Sequence, residues 1–345
     1  MKSAIITLTK MYNYGNSLQN YAVQEVLRSF GLNPETIIYE YRSPKERVKC
    51  RIKKLLKNNT TSKKALFDKF EREHIIRSKF HNLKGYNKKA EEYFDFYFIG
   101  SDQVWNATWY DRYSFMKDAY LLTFTDDRKK IAYAASFGID SLPDKWKPWF
   151  KENLEGFKAI SVREHAGRKI VEELTEKKSE VLIDPTMMLD VDEWRMIERN
   201  PGIVDGNFVL SYFLSPKCQE AQQLCSVLER NNTIIDLMQQ EFVGSIGPSE
   251  FLWLYDNAEL VLTDSFHGSV FSLLLNKPFQ VFDRQSSDES MNSRLSTLLS
   301  KFGLERKYAS SGIENDLWEH EYSDAYHVLE KEREKALSFI RGAIV

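Results

Sequence analysis

Short apolar runs alternate with stretches of helical periodicity along most of the chain, and this rhythm restricts the possible fold more than any other feature. Ala4 to Leu8, Glu35 to Tyr41, Phe94 to Gly100, Ile131 to Phe137, Ala159 to Val162 and Val181 to Ile183 are rich in β-branched and aromatic residues. Runs of this kind suit strands buried on both faces of a parallel sheet. After the first of them, Leu18, Tyr21, Ala22, Val26 and Leu27 fall at helical spacing and Gly31 closes the helix. The opening therefore reads as a βαβ unit. A second series runs through Asn207 to Phe213, Thr233 to Leu237, Leu260 to Thr263 and Phe279 to Phe282, with helices predicted between them. Two successive series predict an α/β protein with two doubly wound domains. The boundaries expected are 1–190 and 191–330, followed by a charged amphipathic C-terminal helix over 331–345.

One stretch breaks the rhythm. Residues 44–90 are heavily basic and predict a helical insertion, with Ala65, Leu66, Phe70, Ile75 and Ile76 on its apolar side. Such an insertion is either a solvated surface helix or a face that meets an anionic or lipid-linked acceptor. The chain as a whole carries a net charge of −2, so it has no general attraction to nucleic acid or an anionic membrane. Its three cysteines, Cys50, Cys218 and Cys225, lack C-x-x-C spacing and suggest free thiols in a reducing compartment. The apolar run after Met1-Lys2-Ser3 is too brief for a signal sequence, and no run approaches the roughly 20 apolar residues of a membrane span. The expectation is a cytoplasmic protein with no nucleic-acid partner and at most peripheral contact with the inner face of the membrane.

Ligands of doubly wound sheets sit beyond the carboxyl ends of the strands, so the loops there hold the candidate residues. The turn Thr263-Asp264-Ser265-Phe266-His267-Gly268-Ser269 leaves a buried strand and enters a helix. Its N–H groups and helix dipole can hold a phosphate or carboxylate, with Ser265, Gly268 and Ser269 as the binding residues. His267 can move a proton near neutral pH. The alternative is an ordinary capped helix with a hydrogen-bonded histidine. Arg163 stands where a strand hands over to a helix, placed to grip an anion through parallel hydrogen bonds or simply to pair with Glu164. In the loop Gly100 to Asn106, Ser101, Asp102, Gln103 and Trp105 mix carboxylate, amide and indole, which suits sugar hydroxyls and a ring face, although Asp102 as a cap and Trp105 as core would also explain them. Asn13, Asn16 and Gln19 in the first loop are further candidate donors to a sugar. Neither Gly-x-Gly-x-x-Gly nor a Walker-type loop occurs, and no residues have metal-ligand spacing, so no cofactor or metal is expected.

Four segments together resemble the polysaccharide pyruvyl transferase family: Asn13-Tyr14-Gly15-Asn16-Ser17-Leu18-Gln19, Gly100 to Asn106, Ser161-Val162-Arg163-Glu164 and Asp264-Ser265-Phe266-His267-Gly268. Asn276-Lys277-Pro278-Phe279 also fits. The resemblance implies two Rossmann-like domains facing a cleft, as in GT-B glycosyltransferases. It implies transfer of the pyruvyl unit of phosphoenolpyruvate to two hydroxyls of a sugar as a ketal, with release of phosphate. By similarity His267 would be the general acid or base and Arg163 would hold the donor's phosphate or carboxylate. The resemblance leaves open whether the saccharide acceptor is lipid-linked. One departure stands out. Many relatives carry Arg-Leu-His where this chain has Ser265-Phe266-His267, and Arg284 and Arg294 are the candidates to replace the missing cation. Two other readings follow from the same residues. A nucleotide-sugar glycosyltransferase would use Glu250 or Asp256 against a ribose; a scaffold protein of polysaccharide assembly would carry a degenerate site.

Overall fold

The computed structural model describes residues 1–39, 63–83, 85–113, 116–239, 242, 244–285, 293–312 and 317–345. Residues 40–62, which include the first part of the basic stretch and Cys50, lie outside the described residues.

Two parallel sheets make up the two halves. The first contains β1 (Lys2–Ile6), β2 (Asn33–Ile38), β3 (Arg77–His81), β4 (Phe96–Ile99), β5 (Lys130–Ala135), β6 (Ala159–Val162) and β7 (Ser179–Val181), in the order β3-β2-β1-β4-β5-β6-β7. The second contains β8 (Phe208–Tyr212), β9 (Thr233–Asp236), β10 (Leu260–Thr263) and β11 (Phe279–Val281), in the order β11-β10-β8-β9. Every pairing between these strands is parallel. The central strands β4, β5, β8 and β10 are buried along their whole length, which is why their sequences are largely apolar rather than alternating. Strand order reverses between β1 and β4 in the first sheet and between β8 and β10 in the second, so each half presents a crevice at its strand ends.

The basic stretch differs from its expected form. Helix α1 (Tyr14–Ser29) is followed after β2 by helix α2 (Lys63–His74), and the chain then forms β3, an edge strand that helical periodicity did not predict. Alternate residues of Arg77–His81 are exposed, so its charged sequence fits an edge strand. Helix α2 is not a free surface. Phe67 packs on Tyr14 at 5.2 Å, Lys10 pairs with Asp68 at 3.2 Å, and Glu73 meets Arg199 of the C-terminal half at 3.3 Å.

The halves share one core. Tyr14 of α1 stacks on Phe251 of helix α3 (Pro248–Asn257), with ring centres 4.6 Å apart. The last helix, Ser323–Ala343, is longer than expected and returns to the N-terminal half. There Arg333 donates to the carbonyls of Met187 and Leu189, both at 2.8 Å, and Lys335 to that of Val181 at 2.9 Å. Cys218 and Cys225 are free thiols. No helix among the described residues is long and apolar enough to cross a membrane.

Candidate active site

Both crevices open onto one cavity of about 260 Å³ between the halves. Leu8, Met11, Asn13, Asn16, Asp102, Gln103 and Trp109 form its N-terminal wall, and Leu214, Ser265, Phe266, His267, Arg284 and Arg294 its C-terminal wall. The walls differ in chemistry: both arginines and the histidine come from the C-terminal side, the amides and the indole from the N-terminal side.

Local sequence explains the C-terminal wall. β10 delivers Ser265 as the N-cap of a helix, Phe266–Leu274, that is buried on every side. The Ser265 hydroxyl accepts from Gly268 N at 3.2 Å, and Ser265 N donates to Thr263 Oγ1 at 3.0 Å. The helix starts so close to β10 that a Cβ on Gly268 would lie 2.5 Å from Thr263 Oγ1, which makes glycine necessary there. The cap leaves the first N–H groups of the helix without intrahelical partners beside the cavity, as an anion site requires. Ser269 donates to the Ser265 carbonyl at 3.2 Å and does not line the cavity. Asp264 organises the neighbouring loop, accepting from Leu214 N at 2.6 Å and Ser215 N at 3.0 Å, and Arg284 Nε stands 3.8 Å from it.

Arg294, in the helix Ser293–Lys301, is only 5% exposed. The amide oxygen of Gln103, turned toward it, accepts at 2.5 and 3.0 Å, and Asp102 Oδ1 lies 3.9 Å away. Burial, and after it the nearby charge of Arg163, push the guanidinium down to about 9. Asp102 itself has φ +75°, a left-handed conformation for a residue with a Cβ, and it lines the cavity together with Gln103, the residue after it.

Behind the cavity lies a buried ionic cluster. Arg163 follows β6, is 3% exposed, and donates from Nη1 to Asp184 Oδ2 at 2.5 Å. Its Nη2 stands 3.6 Å from Asp102 Oδ1, and its guanidinium lies 4.3 Å from the Phe266 ring centre. Burial opposes its charge, but Asp184 and Asp102 outweigh this and raise its pKa. Asp184 is fully buried after β7; burial alone would raise its carboxyl, yet His267 and Arg163 hold it well below the usual carboxylate range. Ser101 Oγ donates to Asp184 Oδ2 at 2.9 Å. His267, 7% exposed, presents Nε2 to the same oxygen at 3.6 Å, an ion-pair distance too long for a direct hydrogen bond.

Of the residues expected from the sequence, Asn13, Asn16, Asp102, Gln103, Ser265, His267, Arg284 and Arg294 thus meet at the cavity. Ser101 and Arg163 stand behind it. Gln19 is buried and ties α1 to the segment after β1, donating to Thr7 Oγ1 at 2.7 Å and to the Asn16 carbonyl at 3.0 Å. Trp105 is core: its Nε1 donates to the Tyr120 carbonyl at 2.8 Å, and the indole that lines the cavity belongs to Trp109. Asp184 was not among the expected residues; it follows the expected strand run Val181 to Ile183, but no local signal links it to His267. Glu250 accepts from Gly247 N at 3.0 Å and Asp256 accepts from Arg195 at 2.8 and 3.1 Å, so neither lines the cavity as a ribose ligand would. No group of three or more His, Cys, Asp or Glu among the described residues could hold a metal ion.

Comparison with known proteins adds a family and a fold. Residues 13–286 match the family model described as polysaccharide pyruvyl transferase. No curated protein gives a significant match. Among solved structures, UDP-GlcNAc 2-epimerase from Methanocaldococcus jannaschii is similar with a TM-score of 0.51 and 14% identity, covering 96% of this chain and 92% of that one. UDP-GlcNAc 2-epimerase from Neisseria meningitidis, bound to UDP-GlcNAc, reaches 0.49 and 12% over 97% of this chain and 100% of that one. A glycosyltransferase from Rickettsia africae reaches 0.40 and 10% over 98% and 93%. At such identities a likeness speaks to the fold alone: two parallel-sheet α/β domains of GT-B type facing a cleft.

Proposed function

Because the chain belongs to the polysaccharide pyruvyl transferase family, we propose that it moves the pyruvyl unit of phosphoenolpyruvate onto two hydroxyls of a sugar in a surface-polysaccharide precursor. The observation that carries this reading is the meeting of His267, Arg284 and Arg294 on one wall of the inter-domain cavity. Phosphoenolpyruvate bears a phosphate and a carboxylate, and two guanidiniums beside a helix N-terminus match that charge. Arg163 donates to Asp184, whereas Arg284 and Arg294 line the cavity, which supports them as the cations that would meet the donor. They would also stabilise the charge that builds on phosphate as it leaves.

The proton balance assigns the remaining role. His267 gives a proton to the terminal enol carbon, which becomes the methyl group, and C2 becomes open to attack. The first sugar hydroxyl adds at C2, the C2–O bond to phosphate breaks, and the second hydroxyl closes the ketal. Two hydroxyl protons are released; one restores His267 and the other leaves with phosphate. Asn13, Asn16 and Trp109 on the opposite wall suit the hydroxyls and ring face of a saccharide. The reaction would draw on a cytoplasmic precursor, free or lipid-linked.

The test is incubation with phosphoenolpyruvate and hexopyranosides bearing a free 4,6-diol, run in D2O. One phosphate per ketal and a methyl group carrying one deuterium are expected, and His267→Gln should remove both products. Phosphate release without ketal, or a ketal methyl without solvent deuterium, would overturn the mechanism.

A further inference from the structure

The buried cluster behind the cavity deepens this reading and rests on it. We infer that Asp184 is a positioning residue for His267, and that the N-terminal half supplies both sides of the slot in which the acid sits. The Asp184 carboxylate is fixed at each oxygen. Oδ1 accepts from Thr186 N at 3.0 Å and from Thr186 Oγ1 at 2.7 Å. Oδ2 accepts from Ser101 Oγ at 2.9 Å and Arg163 Nη1 at 2.5 Å, and faces His267 Nε2 at 3.6 Å. Held in this way, the carboxylate cannot rotate away from the ring. On the other side, a Cβ added to Gly15 would lie 2.1 Å from His267 Nδ1 and 2.5 Å from its Cγ. The imidazole is therefore pressed between the first turn of α1 and Asp184, while its own backbone belongs to the C-terminal half.

Other charged groups lie nearby. Arg163 at the end of β6, Arg284 after β11 and Arg294 in the helix Ser293–Lys301 surround this region, and Asp102 stands between Arg163 and Arg294 at 3.6 and 3.9 Å. Among these cations the ring faces a carboxylate, Asp184, at 3.6 Å. The proton donor is complete only when the two halves are apposed, since neither half contains both the ring and its seat.

The experiment follows the Cε1–Hε1 signal of His267 by NMR titration of protein carrying labelled histidine. There are 6 histidines, and His267→Gln identifies the signal. In Asp184→Asn the titration midpoint of His267 should fall by about one pH unit or more. kcat for pyruvyl transfer should fall about tenfold or more while KM for phosphoenolpyruvate stays within about threefold. Gly15→Ala keeps the carboxylate but displaces the ring, and should likewise lower both kcat and the midpoint. A folded Asp184→Asn protein with an unchanged midpoint or unchanged kcat would overturn the inference. Should that variant fail to fold, Gly15→Ala decides: unchanged midpoint and kcat sink the idea. A fall in the midpoint in a protein whose wild type transfers no pyruvyl group would instead leave the seat intact and refute the proposed function.

Discussion

Arg163 and Asp184 form a buried ion pair, Nη1 to Oδ2 at 2.5 Å, with side chains 1% and 0% exposed. The cation that the sequence places at a strand end thus faces the protein interior. Replacing Arg163 with Met leaves an uncompensated buried carboxylate, which typically costs about 3–5 kcal/mol. The expected outcome is a clear fall in unfolding free energy by urea titration, with a KM for phosphoenolpyruvate close to that of the wild type.

Arg284 and Arg294 carry the opposite expectation. A ligand that binds only the folded state adds about 2.7 kcal/mol at a hundredfold excess over its Kd. Phosphoenolpyruvate should therefore raise the melting temperature of the wild type. Arg294→Met and Arg284→Met should each lose most of that rise, as differential scanning fluorimetry would record.

The two tryptophans near the cleft should separate cleanly. Trp105 is fully buried between Phe137 and Phe157, and Trp105→Ala should cost about 3–5 kcal/mol of stability. Trp109 lines the cavity and is half-buried, so Trp109→Ala should leave stability nearly unchanged and raise the acceptor's KM. Chemical denaturation and steady-state kinetics on the pair would check both halves of this contrast.

Acid should act through Asp184. Its carboxyl lies well below the usual range in the folded protein, against about 3.9 in an unfolded chain. The stability it contributes is therefore complete above about pH 4 and is lost as the pH falls further toward the folded value. Unfolding free energies measured between pH 6 and pH 3 should drop more steeply for the wild type than for Asp184→Asn.

These residues also show how far sequence reasoning reaches. The alternation of apolar runs predicted both parallel sheets, because strands buried on both faces must be continuously apolar. Arg77–His81 escaped that logic: an edge strand with charged, exposed positions carries no such signature. The loops at the strand ends were identified, and eight of the expected site residues line the cavity. Which indole faces it was not legible, since Trp105 and Trp109 occupy one loop region and only packing against Phe137 and Phe157 distinguishes them. The link from Asp184 to His267 was equally hidden, because it joins residues of two domains through tertiary placement alone.

Pyruvyl transfer requires that the cavity bind phosphoenolpyruvate as donor. Calorimetric titration of the wild type and Arg294→Met with phosphoenolpyruvate, UDP-sugars and GDP-sugars tests it most directly. Saturable binding of phosphoenolpyruvate that Arg294→Met abolishes is expected, with no heat from either nucleotide sugar. Saturable binding of a nucleotide sugar and none of phosphoenolpyruvate would contradict it.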